Sequence, residues 1–206
     1  MIKTVDYCLP DSQLLDKKTN QYIIWIPDAV YIVLGASNDP NTALNVDHVV
    51  QDNVTVLKRP SGGQAVVLTP NTLILSAVFL DRFTLHSTDV FQHVNAQIIA
   101  AIEQSGVQHL FPMGISDIAI SGKKIVGSAI YKNKQVLLYH AVINVAEPAT
   151  TFERYLKHPS KEPAYRKGRT HSEFITSLTE KGYTKSIHQL ARELSASFDS
   201  FFCLSK

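Results

Sequence analysis

Apolar and polar positions along this chain alternate between two rhythms. Short β-branched and aromatic runs at 22–26 and 30–34, divided by Pro27-Asp28, read as a pair of strands. A third run at 54–57 leads into Ser61-Gly62-Gly63, and 64–68 and 73–79 follow as strands around Thr69-Pro70-Asn71. From 90 to 103 the period becomes helical: Val90, Val94, Ile98, Ile99 and Ile102 share a face, and Gly106 stands where such a helix ends. Three further strands are predicted at 117–120, 124–131 and 136–145. Ser121-Gly122 and Lys132-Asn133-Lys134 turn between them, which makes an antiparallel meander. Residues 148–156 read as a short helix and 157–169 as a polar, basic, proline-containing loop. A closing helix starts near Ser186, with Gln189 placed for a capping box. Its apolar face is Ile187, Leu190, Ala191, Leu194, Phe198, Phe201 and Phe202. Strands in the middle and helices on the flanks predict an α+β domain, its mixed or mostly antiparallel sheet flanked by helices.

Composition narrows the classes. The 206 residues suit one domain, and 45% hydrophobic with 18% charged residues suits a packed core. The net charge of +2 is spread over mixed signs, so no nucleic-acid partner is expected. Cys8 and Cys203 stand near opposite ends, outside any metal or redox spacing, as expected of free thiols in a reducing compartment. The N-terminus lacks the apolar stretch of a signal peptide. The most apolar region, 65–80, is broken by Thr69, Pro70, Asn71, Thr72 and Ser76, so no membrane span is expected and the predicted location is cytoplasmic.

Several chemistries are excluded by pattern. Gly122-Lys123 is followed by Lys124 and preceded at the key position by Asp117, so it is not a P-loop. Gly62-Gly63 lacks the spaced glycines of a dinucleotide fingerprint. There is no Gly-x-Ser-x-Gly elbow, and the eight histidines show no paired metal-ligand spacing, so no metal site is expected. What remains is a lysine strand, Gly122-Lys123-Lys124-Ile125-Val126-Gly127-Ser128-Ala129. Alternation sends Lys123 and Lys124 to opposite faces, so that one faces a pocket and the other solvent. Asp117 on the preceding strand is placed to hold the inward ammonium, and Gly127 and Ala129 leave room for a ligand. A surface hairpin with two solvated lysines is the plain alternative. The second cluster is Lys58-Arg59-Pro60-Ser61-Gly62-Gly63-Gln64-Ala65-Val66, two cations beside a small-residue turn. Together the two stretches offer cations, a carboxylate and open backbone, which suits an acyl-phosphate ligand.

The same two stretches resemble the lipoate–protein ligase A family, within the group that includes octanoyltransferases and biotin ligases. Lys58 to Val66 is similar to its Arg-Arg-x-Ser-Gly-Gly-Gly-Ala-Val pattern. Ser116-Asp117-Ile118 with Lys124-Ile125-Val126-Gly127-Ser128-Ala129 is similar to its Asn-Asp and Gly-x-Lys signatures. Tyr139-His140-Ala141-Val142-Ile143 resembles its His-His-Gly-Thr strand, and Trp25-Ile26-Pro27 and Val33-Leu34-Gly35 fit further upstream. The resemblance implies a biotin/lipoate ligase-like catalytic domain spanning 1–206, with no C-terminal accessory domain. It implies that Lys124 contacts the acyl carbonyl and phosphate of lipoyl-adenylate. It also implies that Arg59, Ser61, Gly62, Gly63, Gln64, Ala65, Asp117, Gly127, Ala129 and His140 form the substrate site. Val66, Leu68 and Val126 stand as acyl-tunnel or core residues. ATP with Mg2+, lipoate and a lipoyl-carrier protein domain are the implied cofactors and partners, with a separate accessory chain left open. The basic segment 157–169 is either a solvated loop or a docking or lid element. Gln64, Leu68, Lys58 and Ala141-Val142 depart from the family pattern. They leave open an octanoyl or lipoyl transferase using a carrier-bound acyl group, or a non-catalytic binding protein.

Overall fold

The computed structural model describes residues 2–80, 86–134 and 136–203. In chain order the elements are β1 (Thr4–Asp6), β2 (Gln21–Trp25), β3 (Tyr31–Leu34), α1 (Pro40–Ala43), α2 (Val46–Gln51), β4 (Thr55–Lys58), β5 (Val66–Leu68), β6 (Thr72–Phe79), α3 (Ser87–Gln104), β7 (Leu110–Met113), β8 (Asp117–Ile120), β9 (Lys123–Lys132), β10 (Leu137–Asn144), α4 (Ala149–Tyr155), α5 (His171–Phe174) and α6 (Ile187–Cys203). A six-stranded sheet runs β2-β6-β10-β9-β8-β7 with every neighbour antiparallel. A four-stranded sheet runs β1-β4-β3-β5, with β4 parallel to both β1 and β3, and β5 antiparallel to β3. The expected α+β class, with strands flanked by helices, is what forms.

The strands stack as two sheets between two helical layers. On β6 and β10 the alternate residues Leu73, Leu75, Ala77, Tyr139, Ala141 and Ile143 pack against Ile98 and Ile102 of α3 and Leu190, Leu194 and Phe198 of α6. All seven positions of the apolar face expected for α6 enter this layer. Full burial of such side chains contributes roughly 1.5–3 kcal/mol each, more than helix propensity can supply. The opposite face of the six-stranded sheet presents Ile74, Trp25 and Val142 to Val33, Leu57, Val66 and Leu68 of the small sheet. The far side of the small sheet, through Ile32, Leu34, Val56 and Val67, is covered by Leu44, Val49, Phe152 and Tyr155.

The meander β8-β9-β10 forms as expected. Ser121 and Gly122 both take positive φ, 49° and 72°, the backbone that a two-residue hairpin turn demands. The pairing expected between 22–26 and 30–34 does not form: β2 pairs with β6 and β3 with β4 and β5. Ile32, Val33 and Leu34 are all buried, so β3 needs cover on both faces, which a two-stranded hairpin cannot provide. Among the described residues no helix is long and apolar enough to cross a membrane.

Candidate functional site

β8 and β9 stay in step as far as Ile118, opposite Val126. The next pair is Ala119 with Lys124, so Ile125 is an extra residue in β9. Bulges of this kind re-aim side chains. Here the consequence is that Ile125 and Val126, neighbours in sequence, both pack into the helix-side core. Lys124 and Gly127 are thereby brought to one face despite their odd spacing. Lys124 Nζ lies 2.7 Å from Asp117 Oδ1, and Asp117 stands opposite Gly127 on the ladder. The end of the lysine rests on the glycine: a Cβ built on Gly127 would come 2.6 Å from Lys124 Cε and 2.7 Å from Nζ. The Asp117 side chain is only 8% exposed and that of Lys124 30%, so the ion pair is closed on the acid side and open on the amine side.

The Ser-Gly-Gly turn is built from below. Arg59 is buried and points inward, donating from Nη1 to the Val33 carbonyl at 3.1 Å and from Nη2 to the carbonyls of Gly62 and Gln64 at 2.9 Å each. One planar cation thus fixes both sides of the turn, which a lysine could not reproduce. Desolvation pulls Arg59 down to about 10, still well above neutrality. Gly35 lets the turn settle on β3, because a Cβ there would lie 2.1 Å from the Gly63 carbonyl oxygen. Gly63 itself has φ 96°. A Cβ built there would lie 3.8 Å from that of Ala129, so the turn abuts β9. Ser61 Oγ and His140 Nε2 lie 2.8 Å apart, and His140 faces Ala129 across the ladder. Burial, and then the charge of Arg59, push His140 down to about 3, so the ring is neutral at physiological pH. Gly62 and Gly63 are exposed, and no hydrogen bond among the described residues engages their N–H groups. Exposed glycine amides and a partly exposed lysine ammonium can receive a phosphate-linked acyl group, whereas the Ser61 hydroxyl is buried against His140.

The model of the lipoyl protein ligase A/B catalytic domain matches residues 6–199. The chain belongs to this family. Among curated proteins it is similar to lipoate-protein ligase LplJ of Bacillus subtilis, at 27% identity over 67% of this chain and 40% of the relative. It is also similar to a probable lipoate-protein ligase A of Mycoplasma pneumoniae, at 26% identity over 61% of this chain and 36% of the relative. The chain thus spans well under half the length of either. Among solved structures it superposes with TM-score 0.75 on a bi-partite lipoate protein ligase from Thermoplasma acidophilum, described with its E2 lipoyl domain. That match has 19% identity and covers 88% of this chain and 70% of the other. A lipoate-protein ligase A bound with ATP gives the same TM-score at 20% identity, covering 88% and 72%. The fold is therefore that of the lipoate ligase catalytic domain.

Within that family fold the residues expected at the site fall into two adjoining groups. Lys124, Asp117 and Gly127 form one, and Ser61, Gly62, Gly63, Ala129 and His140 the other. Arg59 is buried beneath the turn, and Gln64 is held there by its carbonyl. Ala65 packs against the cluster on the far side of the small sheet. Val66 and Leu68 face the layer between the sheets, whereas Val126 belongs to the helix-side core. The segment 157–169 is neither helical nor loose. The guanidinium carbons of Arg166 and Arg169 sit 4.8 and 5.2 Å from the Phe174 ring centroid, and Arg166 is buried. The residue that sequence reasoning missed is Tyr165, whose hydroxyl donates to Asp117 Oδ2 at 2.8 Å. Charge dominates the sequence of its segment, and an aromatic amid the cations is the signal that marks it.

Proposed function

We propose that the chain is the catalytic domain of a lipoate–protein ligase and transfers a lipoyl group from lipoyl-adenylate to a lysine of a lipoyl-carrier domain. The observation that carries this reading is Lys124, held by Asp117 over Gly127 with its side chain 30% exposed. The carrier amine attacks the acyl carbonyl carbon. The new C–N bond forms, the C–O bond to phosphate breaks, and AMP leaves with that electron pair while the amine loses its proton. Negative charge grows on the carbonyl oxygen during attack, and a fixed, partly buried ammonium stabilises it. The exposed amides of Gly62 and Gly63 suit the phosphate side, while the Ser61 hydroxyl would have to leave His140 to join them. ATP would supply the adenylyl group for activation of lipoate, with Mg2+ carried on its phosphates, the usual mode for that ion. Asp117 is already engaged by Lys124 and Tyr165.

A direct test is the mass gain of a lipoyl domain incubated with the protein and lipoyl-adenylate, or with lipoate and Mg-ATP. Lys124→Ala should slow transfer from preformed adenylate by ~10²–10³-fold, as for loss of an oxyanion donor, with folding kept. Undiminished transfer by the variant would reject the role of the lysine. Modification without nucleotide, from a carrier-bound acyl group, would instead identify a transferase. A cysteine route finds little support at one end of the chain: Cys203 closes α6, which covers the face of the six-stranded sheet opposite Lys124.

A further inference from the structure

Both oxygens of Asp117 are in use. Lys124 occupies Oδ1 at 2.7 Å and the Tyr165 hydroxyl occupies Oδ2 at 2.8 Å. A carboxylate with one partner can turn about its terminal bond, whereas one with two must break a contact to do so. Its orientation decides where the ammonium points, because the lysine end lies loosely over a glycine and has one strong partner.

Tyr165 is itself held from three sides. Its ring centroid is 5.0 Å from that of Phe174, and its carbonyl accepts from Arg169 Nη2 at 2.8 Å. Gly114, at φ 60°, lies against the ring, so close that an added Cβ would meet Tyr165 Cε1 at 3.8 Å. The same Arg169 nitrogen donates to the Gly122 carbonyl at 3.0 Å, in the turn that starts the lysine strand. The basic segment is thus fastened to the hairpin of Lys124 at its turn, through Arg169, and at Asp117, through Tyr165. Burial, and then the charge of Asp117, push the phenol up, so it stays a donor at physiological pH.

We propose that Tyr165 is a positioning residue for Lys124, acting through Asp117, so that the seating of segment 157–169 sets the direction of the ammonium. Lys124 and Tyr165 never need to touch: the carboxylate carries the geometry between them. The catalytic consequence rests on the ligase reading above, whereas the positional claim does not.

Two measurements on the full chain separate the two. Trace acetylation with acetic anhydride, read by mass spectrometry, reports how freely Lys124 moves, with Lys185 as internal reference. In Tyr165→Phe, which keeps the ring against Phe174, labelling of Lys124 relative to Lys185 should rise about three- to tenfold, the range of one lost hydrogen bond. An unchanged ratio overturns the proposal whatever reaction the protein performs. On an Asp117→Asn background the same substitution should alter the ratio by less than about 1.5-fold, and an undiminished effect also overturns it. Single-turnover transfer from lipoyl-adenylate to a lipoyl domain is the second readout. Its rate constant should fall about ten- to a hundredfold in Tyr165→Phe, while half-saturation by the lipoyl domain stays within about twofold. A change in half-saturation alone overturns the positioning role. If the wild-type chain transfers nothing, the ligase reading fails and the labelling ratio by itself decides Tyr165.

Discussion

A methyl group added at Gly127 would fall in the space that Lys124 Cε and Nζ fill, 2.6 and 2.7 Å away. The clash is with the free end of a long side chain, so the strand need not move and the lysine must. Gly127→Ala should therefore keep the fold but lower its thermal midpoint. Asp117 is only 8% exposed, so parting it from Lys124 costs more than the ~1 kcal/mol of an exposed pair. Transfer from lipoyl-adenylate should also drop about ten- to a hundredfold, because the displaced ammonium no longer meets the carbonyl oxygen. Paired thermal midpoints and single-turnover rates check this, and wild-type transfer would show that the seat of the lysine is immaterial. This contact was half legible. Alternation separated Lys124 from Lys123, but it also placed Lys124 and Gly127 on opposite faces. The bulge at Ile125 reverses that, and its only local trace is two adjacent core residues, Ile125 and Val126, where alternation allows one.

At the level of elements, the end of β3 and the Ser-Gly-Gly turn act as one piece. Gly35 follows β3 directly, and a Cβ there would stand 2.1 Å from the Gly63 carbonyl oxygen, which is backbone and cannot swing aside. Gly35→Ala should push the turn off its seat, loosen the carbonyl bonds of Arg59 and weaken binding of lipoyl-adenylate at least about tenfold. A shift of one ångström in a binding element is enough for that. Calorimetric titration measures it, and unchanged affinity would remove the turn from the ligand site. The elements that sequence foretold are those with room to show a period: α3, α6 and the meander. The short β1, β7, α1, α2 and α5 hold four to six residues or fewer, too few to repeat a pattern. Sheet membership was the larger loss. Nothing in the 22–34 stretch announces that β2 and β3 enter different sheets, because that choice is made by burial of β3 on both faces against partners distant in sequence. The site suffered the same way with Tyr165, which meets Asp117 from 48 positions along the chain.

Across the whole molecule, the two sheets meet along a mostly apolar seam crossed by a few polar contacts. Ser61, in the turn after β4, reaches His140 on β10. Asp11, fully buried in the 3-10 turn before β2, accepts from Tyr7 and from Ser76, and Ser76 stands beside His140 on the ladder. Protonating His140 would place a cation in this seam near the buried Arg59 guanidinium, which is why its folded-state value falls to about 3 from the ordinary 6.5. The unfolded chain therefore binds a proton below 6.5 that the folded chain refuses until about 3. Stability is fully present above 6.5 and is lost as pH falls through that window. His171, pushed down to about 4 by burial and by Arg166, adds a loss of the same sign. Asp11 works in the other direction. Burial raises it above 3.8, so the stability associated with its protonated form declines as pH rises above that value. Denaturation midpoints at about pH 7 and about pH 4.5 should show a net fall on acidification, since two histidines and the lowered Glu162, Glu173 and Glu193 act against Asp11. His140→Gln, which keeps a polar partner for Ser61 without a titrating ring, should flatten that slope. An equal slope in wild type and variant would mean that His140 titrates normally and that the seam is open to water.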